Sequence, residues 1–378
     1  MDSDLNYMRL AIDLAKKCSG FTFPNPPVGC VIVEVDKKKK LHKIISFGQT
    51  QKSGRPHAEY EAIKNSCFNP KKEYSCYISL EPCCHIGRQE SCVSEILKTP
   101  IKNVIFSIKD PDKRVNGRGY ELLKKFGISV KYGLLRDEAF KIYKGHFLNK
   151  VLQRPKVTLK IASSLDGKIS GKGLKWITNK KSREFVHRMR FENDAILVGA
   201  NTVRIDNPRL DCRIEGLKQF SPIKVVISKN VNSLKNSKIF SKYNRIKTYI
   251  ISPDKTKKEK NFGNSNVETI KIADEDFHFK AILKKLCELG ISNILVEGGS
   301  RINSFFLDQK VVDEIVIMKS NFFIGNNGLN MFDNSIFKKN ISMNKFTLKN
   351  VFNFDNDVVE IYESKISQKL LDKKFRDY

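Results

Sequence analysis

Leu80-Glu81-Pro82-Cys83-Cys84-His85-Ile86-Gly87-Arg88-Gln89-Glu90-Ser91-Cys92, read with the upstream Pro56-His57-Ala58-Glu59, decides how the first half of this chain folds. Patterning places His57 where a helix opens, Glu81-Pro82-Cys83 just beyond a strand over 77–80, and Cys92 at the start of the next helix. One imidazole and two thiolates fill three corners of a tetrahedral zinc site and leave the fourth open to water. Zinc lowers the proton affinity of that water enough for hydrolysis at neutral pH. Two residues beyond His57, Glu59 is placed near the metal without ligating it, which is what a proton shuttle needs. The chemistry this predicts is hydrolytic deamination. Cys84 and His85 are rival ligands by type, but the side chains of adjacent Cys83 and Cys84 diverge, so Cys92 is the expected third ligand.

Working outward, Leu5, Met8, Ile12 and Ala15 recur at helical spacing up to Ser19-Gly20, and 28–35 is a β-branched run. Further apolar strands are expected at 44–47 and 104–108, and helices over 119–126 and 136–147. Gln153-Arg154-Pro155 breaks the periodicity, because proline pushes its predecessor out of helix. A second alternation follows: strands at 157–162, 195–198, 225–227, 248–251 and 293–296, with helices over 183–191 and 279–289. Both halves read as α/β around a buried sheet, giving domains over 1–148 and 154–364 and a charged tail over 365–378. The stretch 230–276, rich in Lys, Asn and Ser, reads as loop-heavy.

With 378 residues and 40% hydrophobic composition, the chain can bury two cores and is neither disordered nor collagen-like. Its 69 Lys plus Arg against 41 Asp plus Glu leave +28, a field that attracts polyanions. No basic run is interleaved with aromatics into a stacking platform, so a nucleic-acid groove is not expected. A zinc deaminase acting on RNA, with a basic second domain, is the alternative that the charge keeps open. Met1-Asp2-Ser3-Asp4 is acidic where a secretory signal is basic, and no apolar run spans a bilayer, so no membrane association and a cytoplasmic location are expected. Nine cysteines without an export signal favour thiols and metal ligands over disulfides. Cys18, Cys30, Cys67, Cys76, Cys212 and Cys287 are expected to be small core residues.

The zinc nucleobase deaminase pattern pairs H-x-E with P-C-x-x-C; here eight residues separate Cys83 from Cys92. Pro24-Asn25-Pro26-Pro27-Val28-Gly29, His57-Ala58-Glu59 and the run from Leu80 to Cys92 together resemble the deaminase half of the bifunctional riboflavin-biosynthesis deaminase/reductase family, which accepts that longer spacing. The resemblance implies a cytidine-deaminase-like domain, Zn2+ on His57, Cys83 and Cys92, and Glu59 as catalytic proton shuttle. It also implies Asn25 and Asp110 beside the pyrimidine of a phosphorylated diaminopyrimidinone ribotide. Two departures stand out. Gly48 is followed by Gln49, Thr50 and Gln51 where the family usually carries a His, and Gln89-Glu90-Ser91 stand where it tends to have prolines.

In the second half, Ser164-Leu165-Asp166-Gly167, Thr202-Val203-Arg204-Ile205-Asp206-Asn207-Pro208 and Glu297-Gly298-Gly299-Ser300 each follow a strand. Small residues there let a ligand approach backbone N–H groups and a helix N-terminus. No intact G-x-G-x-x-G is present. With Arg154-Pro155, Lys160, Trp176-Ile177-Thr178 and Asp194-Ala195-Ile196, these stretches resemble the reductase half of the same family. That half is dihydrofolate-reductase-like, so the implied fold class is two three-layer α/β domains. The resemblance implies NADPH across Ala162, Trp176, Thr202, Asp206 and Gly299, and substrate against Arg190, Leu210, Arg213 and Glu297. Arg190 and Arg213 suit the ribose phosphate, and Lys160 or Asp206 would assist protonation. Trp176 is by type as suited to core packing as to a cofactor wall. Leu174 stands where the family often has Ser, and Ser228 where it often has Asp. A homo-oligomer is expected, and the resemblance spans roughly 3–320.

Overall fold

The computed structural model describes residues 2–36, 41–85, 90–234, 236–255, 262–336 and 346–365. The chain forms two compact units that part between Gln153 and Arg154. Nearly all of the expected charged tail, from 366 onward, lies outside the described residues, as do Ile86 to Gln89 of the cysteine loop.

The first unit runs α1 (Asp2–Cys18), β1 (Gly29–Asp36), β2 (Leu41–Gln49), α2 (Ala58–Lys64), β3 (Glu73–Ile78), α3 (Cys92–Leu97), β4 (Ile101–Phe106), α4 (Arg118–Lys125), β5 (Ser129–Tyr132) and α5 (Arg136–Leu152). Its sheet has the order β2-β1-β3-β4-β5, with β1 antiparallel to β2 and β3, and β3, β4 and β5 parallel. Strand β1 is buried at its first five positions, as expected of a strand covered on both faces. Cys30 and Ile32 pack with Ala58 and Ala62 of α2, Ile96 of α3 and Leu123 of α4. Gly29 faces the other way, against α1. A Cβ at Gly29 would lie 2.0 Å from the Ala11 carbonyl oxygen and 2.8 Å from the Leu14 Cβ. Gly29→Ala is therefore expected to force α1 off the sheet and cost about 1–3 kcal/mol, read as a lower melting temperature of this unit.

Strand β3 lies earlier than the expected 77–80. Ser79 and Leu80 have left the strand, because the Ser79 hydroxyl accepts from the Gly29 N–H (2.9 Å) and bonds the Tyr143 hydroxyl (2.6 Å). That departure carries Glu81 and Cys83 out of the sheet.

The second unit runs β6 (Lys156–Ser163), β7 (Lys168–Ser170), α6 (Lys180–Glu192), β8 (Ala195–Gly199), α7 (Ala200–Asp206), β9 (Ile223–Ile227), β10 (Thr248–Pro253), β11 (Val267–Ile272), α8 (Phe279–Glu288), β12 (Asn293–Val296), α9 (Ser300–Asp308), β13 (Glu314–Lys319), β14 (Leu329–Asn330), β15 (Phe346–Phe354) and β16 (Asp357–Ser364). The nine-stranded sheet has the order β11-β10-β9-β8-β12-β6-β13-β16-β15; its first seven strands are parallel and the β16–β15 hairpin closes one edge antiparallel. All five residues of β8 are buried, and Leu295 of β12 packs with Val186 and Met189 of α6.

Two carboxylates, a buried Asp313 and a partly exposed Asp194, tie this sheet together. Asp313 takes both guanidinium arms of Arg154 (2.7 and 2.8 Å) and the Val157 N–H (2.8 Å). Asp194 takes the Ser292 and Asn293 N–H groups, each at 2.8 Å. The Arg154-Pro155 and Asp194 motifs thus belong to the framework. The stretch 230–276 is more regular than its composition implies, since β11 forms within it. No helix among the described residues is long and apolar enough to cross a membrane.

Candidate active sites

His57 is the N-cap of α2, Cys92 is the first residue of α3 behind the N-cap Ser91, and Cys83 lies in the loop that leaves β3. Their ligand atoms all fall within 4.8 Å of one another. His57 Nδ1 is 3.2 Å from Cys92 Sγ and 3.6 Å from Cys83 Sγ, and the Cys92 N–H points at Cys83 Sγ (3.4 Å). Around a zinc ion, tetrahedral angles put nitrogen and sulfur ligands roughly 3.5–3.8 Å apart, so this donor set fits. The Cys92 thiol, with His57 adding to it, stabilises the Cys83 thiolate and lowers its proton affinity, whereas sharing with Cys83 and burial push Cys92 up. Glu59 is 3% exposed, and burial raises its carboxyl above the ordinary range beside His57 and Cys92. Cys84 turns away to the Arg114 carbonyl (3.4 Å), and neither Cys84 nor His85 joins the cluster.

Glu81 ties this loop to the next. Its carboxylate accepts from the N–H groups of Asp110 (3.2 Å), Gly117 (2.9 Å) and Tyr120 (3.1 Å), so one buried side chain fixes the Asp110 turn and the start of α4. Asn25 donates from Nδ2 to the Gly54 carbonyl (2.8 Å), which sets the loop before His57. Thr50 is buried and its hydroxyl accepts from the Val28 N–H (2.9 Å), so it closes the backbone of this region.

In the second unit a cleft of about 1970 Å³ opens outside the carboxyl ends of β6, β8, β9 and β12. That is where open α/β sheets bind ligands. All the residues expected from the sequence line it: Ala162, Trp176, Thr202, Asp206 and Gly299, with Arg190, Leu210, Arg213, Glu297 and Lys160. Gly199 and Gly298 end β8 and follow β12, and a Cβ on either would meet Ile302 of α9 at 2.9 and 2.4 Å. Gly299, the N-cap of α9, has open space where a Cβ would be, so a ligand can reach the backbone there.

At the cleft floor Glu297 takes Arg190 Nε (2.7 Å) and Nη2 (3.0 Å), with Lys160 Nζ 3.8 Å away. Arg190 Nη1 donates to the Asp211 carbonyl (3.1 Å). Burial works against the Glu297 carboxylate, but Arg190 and Lys160 hold it down at about 2. Burial and Arg190 lower the proton affinity of Lys160, and burial raises that of Asp206. Leu210 is 3% exposed with φ 56°, a left-handed backbone in which it closes the wall near Arg213.

Several side chains sit in surroundings that their residue types did not disclose. Arg190 pairs with Glu297 on the cleft floor, whereas Arg213, with half its side chain exposed, sits 3.4 Å from Asp211 Oδ1. Trp176 is 53% exposed and its ring lies 4.8 Å from the Arg183 guanidinium, so it is not core packing. Cys67 is exposed, because it falls in the connection after α2, and Cys287 is only half-buried. Leu174 and Ser228 both line the cleft, so those two departures touch the site.

The family model described as the cytidine and deoxycytidylate deaminase zinc-binding region matches residues 1–108, and that described as the RibD C-terminal domain matches 155–360. The likeness thus continues well past residue 320. The chain is 35% identical over 368 residues to riboflavin biosynthesis protein RibD of Aquifex aeolicus, covering 95% of this chain and 98% of that one. It is 35% identical over 318 residues to the same protein of Actinobacillus pleuropneumoniae, covering 83% and 82%. Among solved structures it is similar to a diaminohydroxyphosphoribosylaminopyrimidine deaminase/5-amino-6-(5-phosphoribosylamino)uracil reductase of Thermotoga maritima, with TM-score 0.82, 33% identity and coverage of 96% and 98%. It is also similar to Acinetobacter baumannii RibD, with TM-score 0.84, 28% identity and coverage of 96% and 99%.

Proposed function

We propose the substrates and residue roles that follow for this chain, which belongs to the RibD family of bifunctional riboflavin-biosynthesis enzymes, with a deaminase and a reductase domain. The deaminase substrate is 2,5-diamino-6-ribosylamino-pyrimidinone 5'-phosphate. The observation that carries this reading is the convergence of His57, Cys83 and Cys92 with Glu59 beside them and unused as a ligand. These three residues would hold zinc, which when bound acidifies water so that hydrolysis runs at neutral pH. Glu59 accepts the proton of the attacking water and passes protons to the ring nitrogen and to the amine, which leaves as ammonia. Asn25 and Asp110 hold the pyrimidine edge.

In the second unit the ring-opened ribose of the deaminated ribotide lies over Lys160 and Glu297. Ala162, Trp176, Thr202, Asp206 and the Gly299 turn would hold NADPH, which when bound would supply the hydride for reducing the anomeric carbon to the ribityl form. Lys160, less basic than a free lysine and paired with Glu297, donates the proton that the nitrogen of the ring-opened imine takes up as the anomeric carbon is reduced. Arg213 takes the phosphate, Leu210 packs against the substrate and Asp206 positions the sugar. Both steps are assigned to the cytoplasm.

Purified protein with the ribotide is expected to release ammonia without NADPH and to oxidise NADPH only once deamination has occurred. A strong chelator should stop ammonia release and leave reduction of pre-deaminated substrate intact. Zinc-replete protein that released no ammonia would overturn the deaminase reading, and reduction lost with the metal would overturn the division of labour.

A further inference from the structure

Helix α5 presents His146 and Lys150 to the turn that carries Asp110. His146 Nε2 is 2.9 Å from Asp110 Oδ1, and each of these side chains is 11% exposed. Lys150 Nζ is 3.0 Å from Asp112 Oδ2. Asp110 Oδ1 also accepts the Asp112 N–H at 2.8 Å, and the Asp110 N–H is held by Glu81. A carboxylate only accepts, so the imidazole must be the donor in its pair. Two donors on Oδ1 fix the plane of the carboxylate, and among the described residues nothing hydrogen-bonds Oδ2.

We propose that His146 is a positioning residue of the deaminase site: acting through Asp110, it aims Oδ2 at an N–H edge of the pyrimidine. The inference rests on the assignment of Asp110 to the pyrimidine made above. Because Oδ2 can only accept, the group it meets must be a donor, an exocyclic amine or a ring N–H, and a carbonyl edge is rejected. Lys150 holds the other end of the same turn through Asp112, whose second oxygen takes the Arg114 backbone and Nε. The role of His146 is therefore directional, since the turn itself is closed without it.

A contact made equally in the ground and transition states affects KM and leaves kcat in place. His146→Leu keeps volume and removes the donor. It is expected to raise the deaminase KM about tenfold, with kcat, zinc content and NADPH-dependent reduction within twofold of the parent. Glutamine can place its amide nitrogen near where imidazole Nε2 sits, whereas asparagine falls short, so His146→Gln should restore KM and His146→Asn should not. A purely structural role predicts a lower melting temperature with KM unmoved, or equal behaviour of the Gln and Asn variants; either result overturns the proposal. The Gln–Asn contrast decides the matter even if the Leu variant does not fold. Asp110→Asn separates this inference from the one beneath it. If that variant leaves KM unchanged in an active enzyme, the assignment of Asp110 fails; if it raises KM while His146→Leu does not, positioning by His146 fails alone.

Discussion

Glu59→Gln is expected to lower ammonia release between about a hundredfold and ten-thousandfold, the range that a positioned general acid and base contributes. Zinc content and NADPH-dependent reduction should stay at the parent level. The substitution keeps size and one hydrogen-bonding oxygen, so the 3% exposed site does not have to repack. What it removes is the capacity to hold a proton between water and the departing amine. Burial raises the Glu59 carboxyl in the protein itself, and the charge of a bound zinc would act against that shift. Its contrast is Cys92→Ser, which weakens the metal site itself and should lose zinc and deamination together. Undiminished ammonia release by Glu59→Gln, measured with zinc bound, would remove the shuttle from the mechanism.

The second large effect is expected at Glu297. Glu297→Ala leaves Arg190 and Lys160 facing each other, with side chains only 11% and 15% exposed. Breaking a buried pair by deleting one partner costs about 3–5 kcal/mol, because an uncompensated charge remains in a medium that solvates it poorly. For a unit of this size that is a fall of about 10 °C in melting temperature. The deaminase unit should keep its own transition. Reduction should be lost as well, since Lys160 no longer has a carboxylate to hold it in place. Glu297→Gln, which keeps the shape and the acceptor oxygen, should recover part of the stability and little of the turnover. A melting temperature within 2 °C of the parent for the alanine variant would show that water reaches the pair.

Much of the metal site was legible because residue type alone narrows the choice: imidazole, two sulfurs and a carboxylate in order leave few other readings. Both open sheets followed from runs such as 28–35 and 195–198, where burial on two faces makes a strand uniformly apolar. The partnership of Arg190 and Glu297 was not legible, although both residues were placed at the site. A separation of 107 positions hides the contact, and a lone arginine looks the same whether it awaits a phosphate or already holds a carboxylate. His146 carried no signal either, being a single polar residue on a helix face. The hairpin of β15 and β16 was missed for a different reason. Its Asp355-Asn356 turn, where Asp355 takes φ 54°, lies beyond the last strand expected from the sequence, at 293–296. The whole-length likeness to deaminase/reductase relatives leaves the RNA-directed alternative without support.

Ile302 of α9 packs under the glycine that ends β8 and the one two residues beyond β12, and this limits how the enzyme can change. Ile302 sets the separation of the Gly199 and Gly298 turns, so neither can accept a larger residue while the other stays as it is. Drift at either turn must be matched at residue 302, and the three positions are expected to vary together or not at all.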